Sequence, residues 1–319
     1  KFDIRAGEIL DIRFKNGRPL GVRGIEEMPD LVVMQRTGTA GQIALLRWFA
    51  EQGVATVVDF DDAMWCVDKE NLAYDSWNRP NPFGQHWRTC EEAAKIADLV
   101  TVTTEGLAQH YGPRTAVLPN CVPKAAAALP SPGPNEVFTA GWAGYTGTHP
   151  GDCRVSAPAA RAVLDAGGRL RGIADAEGLA LEWGLDPAQV ESLPPQPLGP
   201  AYYGAIAGLD LMLVGLRDTT FNRSKSTLKV LEAAVGGVPS IAPDNRPHRA
   251  LAKGGFPVTL VGSPSGWYDA AKVYFNTPRD ELDEARMVTR QAVLDHHTIE
   301  GNAEAWAQAW ERALARAAR

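Results

Sequence analysis

Short apolar runs alternate with amphipathic helical segments along most of this 319-residue chain. LVVMQ (31–35), VATVV (54–58) and LVTVTT (99–104) are almost continuously apolar, which is typical of strands buried on both faces of a parallel sheet. Helical segments separate them, such as TAGQIALLRWFAEQG, with Thr39 as its cap and Gly53 as its stop. The alternation predicts an α/β chain with doubly wound parallel sheets.

The alternation pauses at residues 125–135, which are rich in alanine and proline, and then starts again. Such a stretch is typical of a linker, so we predict one α/β domain over residues 1–124 and a second over residues 136–294. Near the N-terminus, Asn16-Gly17 predicts a hairpin turn. Open α/β sheets bind ligands beyond the carboxyl ends of their strands, so we expect a ligand-binding cleft between the two domains.

Composition argues against several function classes. The net charge of −6 and the pI near 5.6 provide no basic field for nucleic acid or for an anionic membrane. No run approaches the roughly 20 apolar residues of a membrane span, and the N-terminus lacks the regions of a signal peptide. Four widely spaced cysteines without a C-x-x-C pair indicate neither a zinc site nor a disulfide framework, and a reducing cytoplasm fits them best.

The stretch FNRSKSTLKVLEAAVGGVP (221–239) reads as a loop followed by a helix over 224–235 that stops at two glycines. In such a helix Lys225, Lys229 and Glu232 share one face, and about 10 Å separates the first from the last along the axis. The helix dipole and the lysines favour an anion, and the carboxylate can accept hydrogen bonds from ribose hydroxyls. The same face is also compatible with a solvated surface carrying a Lys229–Glu232 pair.

The loop GWAGYTGTHPGD (141–152) follows a predicted strand of the second domain. Its glycines, including Gly141 and Gly144, would let backbone amides approach a phosphate or a sugar closely. His149 places an imidazole in this loop, where it either takes part in a site or makes a structural hydrogen bond. Asp152 is as consistent with a helix cap as with a ligand.

An acidic turn, DFDDAMW (59–65), ends the second strand, and Arg36 ends the first. The spacing of Asp59 and Asp61 is compatible with a site for Mg²⁺ or Mn²⁺. Carboxylates at a strand end, here with Asp62 among them, can equally bind sugar hydroxyls or act as a base. A third reading is that one of them only caps the following segment.

Three segments together resemble GT-B glycosyltransferases, especially the retaining, family-four-like members. They are GWAGYTGTHPGD, LDLMLVGLRDTTFNRSKSTLKVLEAAVGGVPSIA and ADLVTVTTEGLAQHYGPRTAVLPNCV. With VVDFDDAMW, the likeness covers most of residues 31–250. The resemblance implies two Rossmann-like domains, a nucleotide sugar bound mainly by the second, and a C-terminal helix (295–319) that packs back on the first.

The resemblance also implies roles for single residues of the second domain. Glu232 matches the second glutamate of the family's E-x7-E motif, which binds the ribose of the donor. Ser224 stands where the first glutamate of the motif, which contacts the transferred sugar, is expected. Lys225 and Lys229 then become candidates for binding the diphosphate, with Arg223 in reserve.

Other roles follow from the same resemblance. The turn after VVDF aligns roughly where relatives carry a histidine beside the reaction centre, so Asp61 or Asp62 takes that place. With His149 they are the catalytic candidates, whereas Arg36 and Asp59 lie on the acceptor side. The donor-binding candidates of the glycine loop are Gly141, Gly144, Tyr145 and Thr146.

We therefore expect an enzyme that transfers a sugar from a UDP-, GDP- or related nucleotide sugar to an acceptor, with retention and without a metal or another cofactor. One alternative is a metal-dependent transferase in which Asp59 and Asp61 hold Mg²⁺ or Mn²⁺. Another is a protein that binds nucleotide sugars without turnover, which Ser224 at the motif position favours. The acceptor stays open among small molecules, glycans, proteins and modified DNA.

Overall fold

The computed structural model describes residues 2–4, 12–15, 18–22, 27–79 and 85–318, and for 12–15 and 18–22 the backbone alone. These residues form one antiparallel hairpin and two parallel sheets. The hairpin pairs β1 (Ile12–Lys15) with β2 (Arg18–Val22), and its predicted Asn16-Gly17 turn lies outside the described residues.

The first domain is built on a four-stranded sheet within the described residues. Its elements are β3 (Leu31–Gln35), α1 (Ala40–Glu51), β4 (Ala55–Phe60), α2 (Tyr74–Trp77), α3 (His86–Ile96), β5 (Leu99–Val102), α4 (Glu105–Tyr111) and β6 (Thr115–Val117). The strands are parallel in the order β3-β4-β5-β6, and β4 and β5 are buried along almost their whole length, as the apolar runs predict. Thr39 and Gln42 form a capping box that fixes the start of α1.

The second domain repeats this plan with six strands in the described residues. Its elements are β7 (Thr139–Ala143), α5 (Ala157–Asp165), β8 (Arg169–Ile173), α6 (Ala176–Trp183), β9 (Val190–Leu193), α7 (Pro200–Ala207), β10 (Leu211–Leu213), α8 (Thr220–Arg223), α9 (Leu228–Val235), β11 (Ser240–Pro243), α10 (Arg246–Lys253), β12 (Thr259–Val261) and α11 (Pro264–Asn276). The strand order β12-β11-β10-β7-β8-β9 is that of a Rossmann fold. The order reverses between β7 and β10, so a crevice opens beyond the carboxyl ends of these two strands.

The chain crosses between the domains at two adjacent points. Val122 and Thr298 form a parallel bridge, in which the Val122 amide donates to the carbonyl of His297 at 3.0 Å. The predicted linker is anchored to the second domain, because a 3-10 turn over Lys124–Ala128 buries Ala126 against its core. The two segments that connect the domains, around Val122 and around Thr298, therefore lie side by side.

Two helices close the described chain, α12 (Arg279–His296) and α13 (Ala303–Ala317), and α13 packs on the sheet of the first domain. Ala309 and Ala313 are fully buried there against strand residues such as Val57, because small side chains let the helix approach the sheet closely. None of the helices in the described residues combines the length and the apolar composition that a membrane crossing requires. The four cysteines are free thiols.

The helix predicted over 224–235 begins later than expected, because a turn separates α8 from α9, which starts at Leu228. Lys225 lies in that turn and not on the face of α9, so the helical spacing between Lys225 and Glu232 does not apply. The predicted stop is correct. Gly237 has a φ of +79°, a left-handed conformation that glycine adopts without strain.

Hydrogen bonds from the first domain hold this turn. Thr104 Oγ1 donates to the carbonyl oxygen of Ser224 at 2.8 Å, and Asn120 Nδ2 donates to Ser226 Oγ at 2.9 Å. In a continuous helix the Ser224 carbonyl would instead accept from the amide four residues later. Contact between the domains thus overrides the local helix propensity of the segment.

His248 is buried in the first turn of α10, where its Nδ1 lies 2.7 Å from Oδ1 of Asn245. Burial lowers the pKa of His248 from 6.5 to about 4, so between these values the unfolded chain binds a proton that the folded chain does not. We expect this group to lower the free energy of unfolding by about 2 kcal/mol between pH 7 and pH 5. Chemical denaturation of the native protein and of His248→Gln measures it: the stability advantage of the native protein should shrink as the pH falls. A constant difference would contradict the assignment.

Candidate functional site

The carboxyl ends of the two sheets face each other across a cleft, where a cation of the second domain meets a carboxylate of the first. Lys225 Nζ lies 3.7 Å from Oδ1 of Asp62 and 4.7 Å from the centre of the Phe221 ring. Only 15% of the Lys225 side chain is exposed. Burial raises the pKa of Asp62, and the nearby Lys225 opposes that shift only in part. The cleft thus holds a buried charge pair that spans the two domains.

Asp61 shares Arg36 with its neighbour Asp62 but binds it more closely, since Nη2 of Arg36 lies 4.0 Å from Oδ2 of Asp62. Arg36 binds both Asp61 carboxylate oxygens, with Nε donating at 2.7 Å and Nη2 donating at 2.5 Å. This hydrogen bonding raises the pKa of Arg36. Arg36 has a φ of +49°, a left-handed conformation that is uncommon outside glycine and marks the end of β3. Of the two aspartates among the catalytic candidates, Asp62 is the one that contacts Lys225 of the second domain.

Asp59 lies within β4 and is bound by the neighbouring strands. Thr101 Oγ1 donates to Oδ1 of Asp59 at 2.6 Å, and Gln35 Nε2 donates to Oδ2 at 3.4 Å. Burial raises the pKa of Asp59. Asp59 and Asp61 thus have separate partners, and no group of three or more His, Cys, Asp or Glu side chains among the described residues could hold a metal ion. These residues do not fit the divalent cation of the alternative, metal-dependent reading.

The glycine loop after β7 receives a segment of the first domain. The amide of Leu72 donates to the carbonyl of Gly147 at 3.1 Å, and Asn71 Nδ2 donates to the carbonyl of Thr148 at 2.8 Å. A Cβ atom on Gly147 would lie 2.7 Å from Cε1 of Tyr145 and 2.8 Å from Cδ1 of Leu72, so these two exposed side chains would have to move to make room for it. Asn71 and Leu72, in the segment that follows the acidic turn, therefore cover this part of the loop.

The predicted donor-binding residues of the loop have distinct environments. Thr146 donates to Oδ2 of Asp175 through its amide at 2.9 Å and its hydroxyl at 2.5 Å, which ties the loop to the start of α6. The amide of Gly144 donates to the carbonyl of Ile173 at 3.0 Å. Tyr145 is 53% exposed, so its ring is accessible from solvent.

Gly141 lies inside β7 and not in the loop that follows it. A Cβ atom at this position would lie 2.4 Å from the carbonyl oxygen of Arg171 on the neighbouring strand β8. The missing side chain therefore lets the two strands pair, which explains this glycine without a ligand. The part of the loop that reaches the cleft begins at Gly144.

His149 joins the loop to a buried network. Its Nδ1 lies 3.4 Å from Oδ2 of Asp152, and its ring packs edge to face against Trp142 at 5.8 Å. Asp152 precedes a 3-10 turn, but its side chain does not cap it; it accepts from Asn222 Nδ2 at 2.6 Å and from the amide of Arg217 at 3.1 Å. His149 is near enough to Asp62 to lower the pKa of that carboxyl slightly. The imidazole of His149 thus lies close to the Lys225–Asp62 pair.

Arg217 is a cleft residue that the sequence patterns do not single out. Its Nη2 donates to Oδ2 of Asp68 at 3.3 Å, and its Nη1 lies 3.8 Å from Oε2 of Glu70. These contacts join the loop after β10 to the segment of the first domain that follows the acidic turn. The only signal in the sequence is its position directly beyond a strand of the second sheet.

Glu232 is buried on α9 with two donors on one of its oxygens. Tyr202 OH donates to Oε2 at 2.8 Å, and Lys229 Nζ donates to the same oxygen at 3.2 Å. Lys229 Nζ also donates to Tyr202 OH at 3.1 Å. The predicted Lys229–Glu232 pair is present, but in a mostly buried cluster and not on a solvated face. Sequence patterns miss Tyr202, because an aromatic residue in a short helix reads as packing.

Arg223 ends α8 and Ser224 follows it, and both have hydrogen-bond partners outside that cluster. Arg223 is exposed and binds Asp218 through two hydrogen bonds of 2.6 and 2.9 Å. It lines a groove of about 590 Å³ at the ends of β10, β11 and β12, where a second arginine, Arg249, pairs with its own carboxylate, Asp244. The Ser224 hydroxyl donates to the carbonyl of Thr220 at 3.4 Å. Internal partners thus occupy these side chains.

Comparison with known proteins identifies the fold. No protein-family model and no curated protein matches the chain. Among solved structures, TarM has a TM-score of 0.60 at 11% identity over 89% of this chain and 55% of its own. Sucrose-phosphate synthase from Thermosynechococcus elongatus has a TM-score of 0.60 at 15% identity over 90% and 74%. The pneumococcal O-GlcNAc transferase GtfA, in complex with UDP and GlcNAc, has a TM-score of 0.61 at 14% identity over 89% and 57%.

The chain has the GT-B fold, with two Rossmann-like domains on either side of a cleft. This confirms the fold that the sequence resemblance implies. The chain spans 55% of TarM and 57% of GtfA, so it corresponds to about half of those longer proteins.

Proposed function

We propose that this protein is a glycosyltransferase that moves a sugar from a nucleoside diphosphate sugar to an acceptor. The observation that carries the proposal is the Lys225–Asp62 pair, in which a cation and a carboxylate meet at 3.7 Å across the cleft. Ligands of open α/β sheets bind at such a place, beyond the carboxyl ends of the strands. The GT-B fold supports this reading, and one protein of that fold, GtfA, is in complex with UDP.

In this proposal the second domain holds the donor. Glu232 accepts hydrogen bonds from the ribose, Lys225 binds the diphosphate, and the loop from Gly144 to Thr146 borders it. A lysine is a common phosphate ligand because its ammonium group carries a compact charge. Bound phosphate would take the place that Asp62 now has beside Lys225.

Transfer breaks the bond between the anomeric carbon and the diphosphate oxygen and forms a bond from that carbon to an acceptor oxygen. Lys225 stabilises the charge that develops on the departing diphosphate. The acceptor hydroxyl loses its proton, and Asp62 is the group we assign to receive it, because burial raises its pKa and makes it a stronger base. Asp61 holds Arg36 in place, and His149 borders the same space.

Retention and independence of metal are further parts of the proposal. The anomeric form of the product, read by NMR, tests the first, and activity in the presence of a chelator tests the second. A product of inverted configuration would contradict retention, and loss of activity in the chelator would favour the metal-dependent alternative. The acceptor is open among small molecules, glycans, proteins and modified DNA.

The first test is binding. We expect one of UDP, GDP or their sugars to raise the melting temperature of the native protein. Glu232→Ala should weaken the affinity for that nucleotide by about 30-fold, since a hydrogen bond to a charged group is lost. The exposed Glu284→Ala is the control for the loss of a carboxylate and should leave binding unchanged. If no nucleotide raises the melting temperature, the donor site is wrongly assigned.

A protein that binds nucleotide sugars without turnover is the second candidate, and Ser224 favours it. Its hydroxyl is directed to the Thr220 carbonyl, and it cannot supply the carboxylate that the motif position would bring to the sugar. Binding of a donor without transfer or donor hydrolysis across a broad acceptor panel would establish this candidate. Release of free nucleoside diphosphate would exclude it.

A further inference from the structure

The groove of about 590 Å³ at the carboxyl ends of β10, β11 and β12 carries a local positive charge in an acidic protein. Its charged lining residues are four arginines and two aspartates: Arg154, Arg223, Arg246, Arg249, Asp218 and Asp244. The lining thus has an excess of two positive charges, whereas the whole chain has a net charge of −6. The groove, here called the arginine groove, therefore favours an anion.

Between the arginines the groove has an apolar floor. Trp267 and Val261 are buried, with 3% and 7% of their surface exposed, and Pro158 is half-buried. Sites for small ligands have volumes of roughly 300–1,000 Å³ and combine such apolar walls with a few charged groups. The volume and the lining thus fit a group of about the size of a sugar that carries an anionic substituent.

The charge of the groove comes from the arginines and not from the helix ends that reach it. Asn245 caps α10 by accepting from the amide of His248, and Ser263 caps α11 by accepting from the amide of Gly266. A proline, which has no N–H group, also stands in the first turn of each helix. The helix ends therefore leave few amides to a ligand.

The arginines can each turn to a ligand. Arg154 is exposed, and its side chain makes no hydrogen bond or ion pair with the other described residues. Nη1 of Arg246 donates to the neutral Gln109 at 3.1 Å. Arg223 and Arg249 are 60% and 63% exposed, and each pairs with an aspartate on the surface. Such exposed pairs contribute little to stability, so a more highly charged anion can displace the aspartates.

The loop after β10 joins the arginine groove to the charge pair in the cleft. Arg223 lines the groove, and Lys225, which contacts Asp62, follows two residues later, so their backbones are at most about 7 Å apart. The proposed donor is bordered by the loop after β7, and β7 lies on the opposite side of β10 from β11 and β12. The proposed donor therefore leaves the groove to the second substrate, which is the acceptor.

We propose that the arginine groove binds a phosphate ester carried by the acceptor. This inference rests on the proposed function, because it assigns the groove to the second substrate of the transfer. A phosphate monoester carries about two negative charges at neutral pH, which matches the excess charge of the lining. Its oxygens also match the planar fork of donors that a guanidinium group presents. The acceptor is then a phosphorylated sugar or polyol whose free hydroxyl faces Asp62.

Calorimetry with glucose 6-phosphate and glycerol 3-phosphate tests this, with glucose and glycerol as the uncharged counterparts. The protein is first saturated with UDP or GDP, whichever binds, so that the donor site is filled. At least one phosphate ester should bind the native protein about 30-fold more tightly than its uncharged counterpart. Arg154→Gln/Arg249→Gln should reduce this preference to about threefold and leave the nucleotide affinity within about twofold of the native value.

Arg47→Gln/Arg79→Gln is the matched control. Arg47 and Arg79 are 57% and 58% exposed and pair with Glu92 and Asp75 on the surface of the first domain. This variant removes the same charge as the first and also breaks surface pairs. It should keep the native preference for the phosphate ester.

Several results would overturn the inference. It is wrong if neither ester binds more tightly than its uncharged counterpart, or if Arg154→Gln/Arg249→Gln keeps the preference. An ester that the nucleoside diphosphate displaces lies in the donor site. Binding of a single-stranded oligonucleotide that this variant loses, without binding of either ester, would assign the groove to nucleic acid.

Failure of the proposed function gives a different result. In that case no nucleoside diphosphate binds, and the titrations are made without one. If an ester still binds and Arg154→Gln/Arg249→Gln loses it, the groove is a phosphate site but not an acceptor site. The failure of the proposed function is thus distinguishable from a groove that binds no phosphate ester.

Discussion

Lys225→Met is expected to lower the rate of sugar transfer by about 10³-fold, or about 4 kcal/mol of transition-state stabilisation. The ammonium group lies in a mostly buried position, where a charge acts on the departing diphosphate with little screening by water. In the variant, Asp62 keeps its carboxylate in the same space and repels the phosphates. Affinity for the nucleoside diphosphate should therefore fall as well, by about 30-fold, the effect of losing a hydrogen bond from a charged donor.

The measurement combines transfer or donor hydrolysis with calorimetric titration of the nucleotide. Lys253→Met is the control, because Lys253 is exposed at the end of α10 and its loss changes the net charge equally. Unfolding curves show whether Lys225→Met remains folded. Nucleotide affinity within twofold of the native value would remove Lys225 from the diphosphate site.

The sequence predicts the sheets well, because buried parallel strands leave continuous apolar runs. LVVMQ coincides with β3 over residues 31–35, and the glycine stop of α9 lies where it is expected. Three elements, α6, β9 and α10, are not apparent from the apolar pattern, since none is longer than eight residues. Short elements carry too few turns or alternations to show a period.

The start of α9 could not be predicted, because its cause lies in the other domain. The carbonyl of Ser224 is bonded to Thr104, a residue far away in the sequence, and local propensity contains no trace of that contact. The shift matters for function: it moves Lys225 from a helix face into a turn that reaches Asp62. The sequence pattern thus assigns Lys225 to a helical geometry that does not exist, because α9 begins only at Leu228.

The acidic turn shows that a sequence motif alone does not determine the role of each of its residues. For the cluster of Asp59, Asp61 and Asp62 the sequence leaves metal binding, substrate contact and a structural role all open. In the structure Thr101 binds the first and Arg36 binds the second. Only the third faces the other domain, so partners distant in sequence decide what each carboxylate can do.

We expect Asp62→Asn to produce two effects of opposite sign. Transfer should fall by about 10³-fold, because an amide cannot accept the proton of the acceptor hydroxyl. Affinity for the nucleoside diphosphate should instead rise by about threefold, because the internal carboxylate at 3.7 Å no longer competes with the phosphates for Lys225. Misfolding would lower both the transfer rate and the nucleotide affinity. A lower rate together with a higher affinity would therefore indicate that Asp62 takes part in the reaction.

The pH dependence of the same variant gives a second, independent readout. Burial raises the pKa of Asp62, so the native rate should fall as the pH drops through a value above the usual one for aspartate, where the carboxylate takes up a proton. Asp62→Asn should lose this acid limb, whereas Asp61→Asn should keep it and lose stability through the release of Arg36. Steady-state rates from pH 4 to pH 8 on the three proteins decide the assignment. An acid limb that survives in Asp62→Asn would place the base elsewhere, with His149 as the nearest titratable group of the loop.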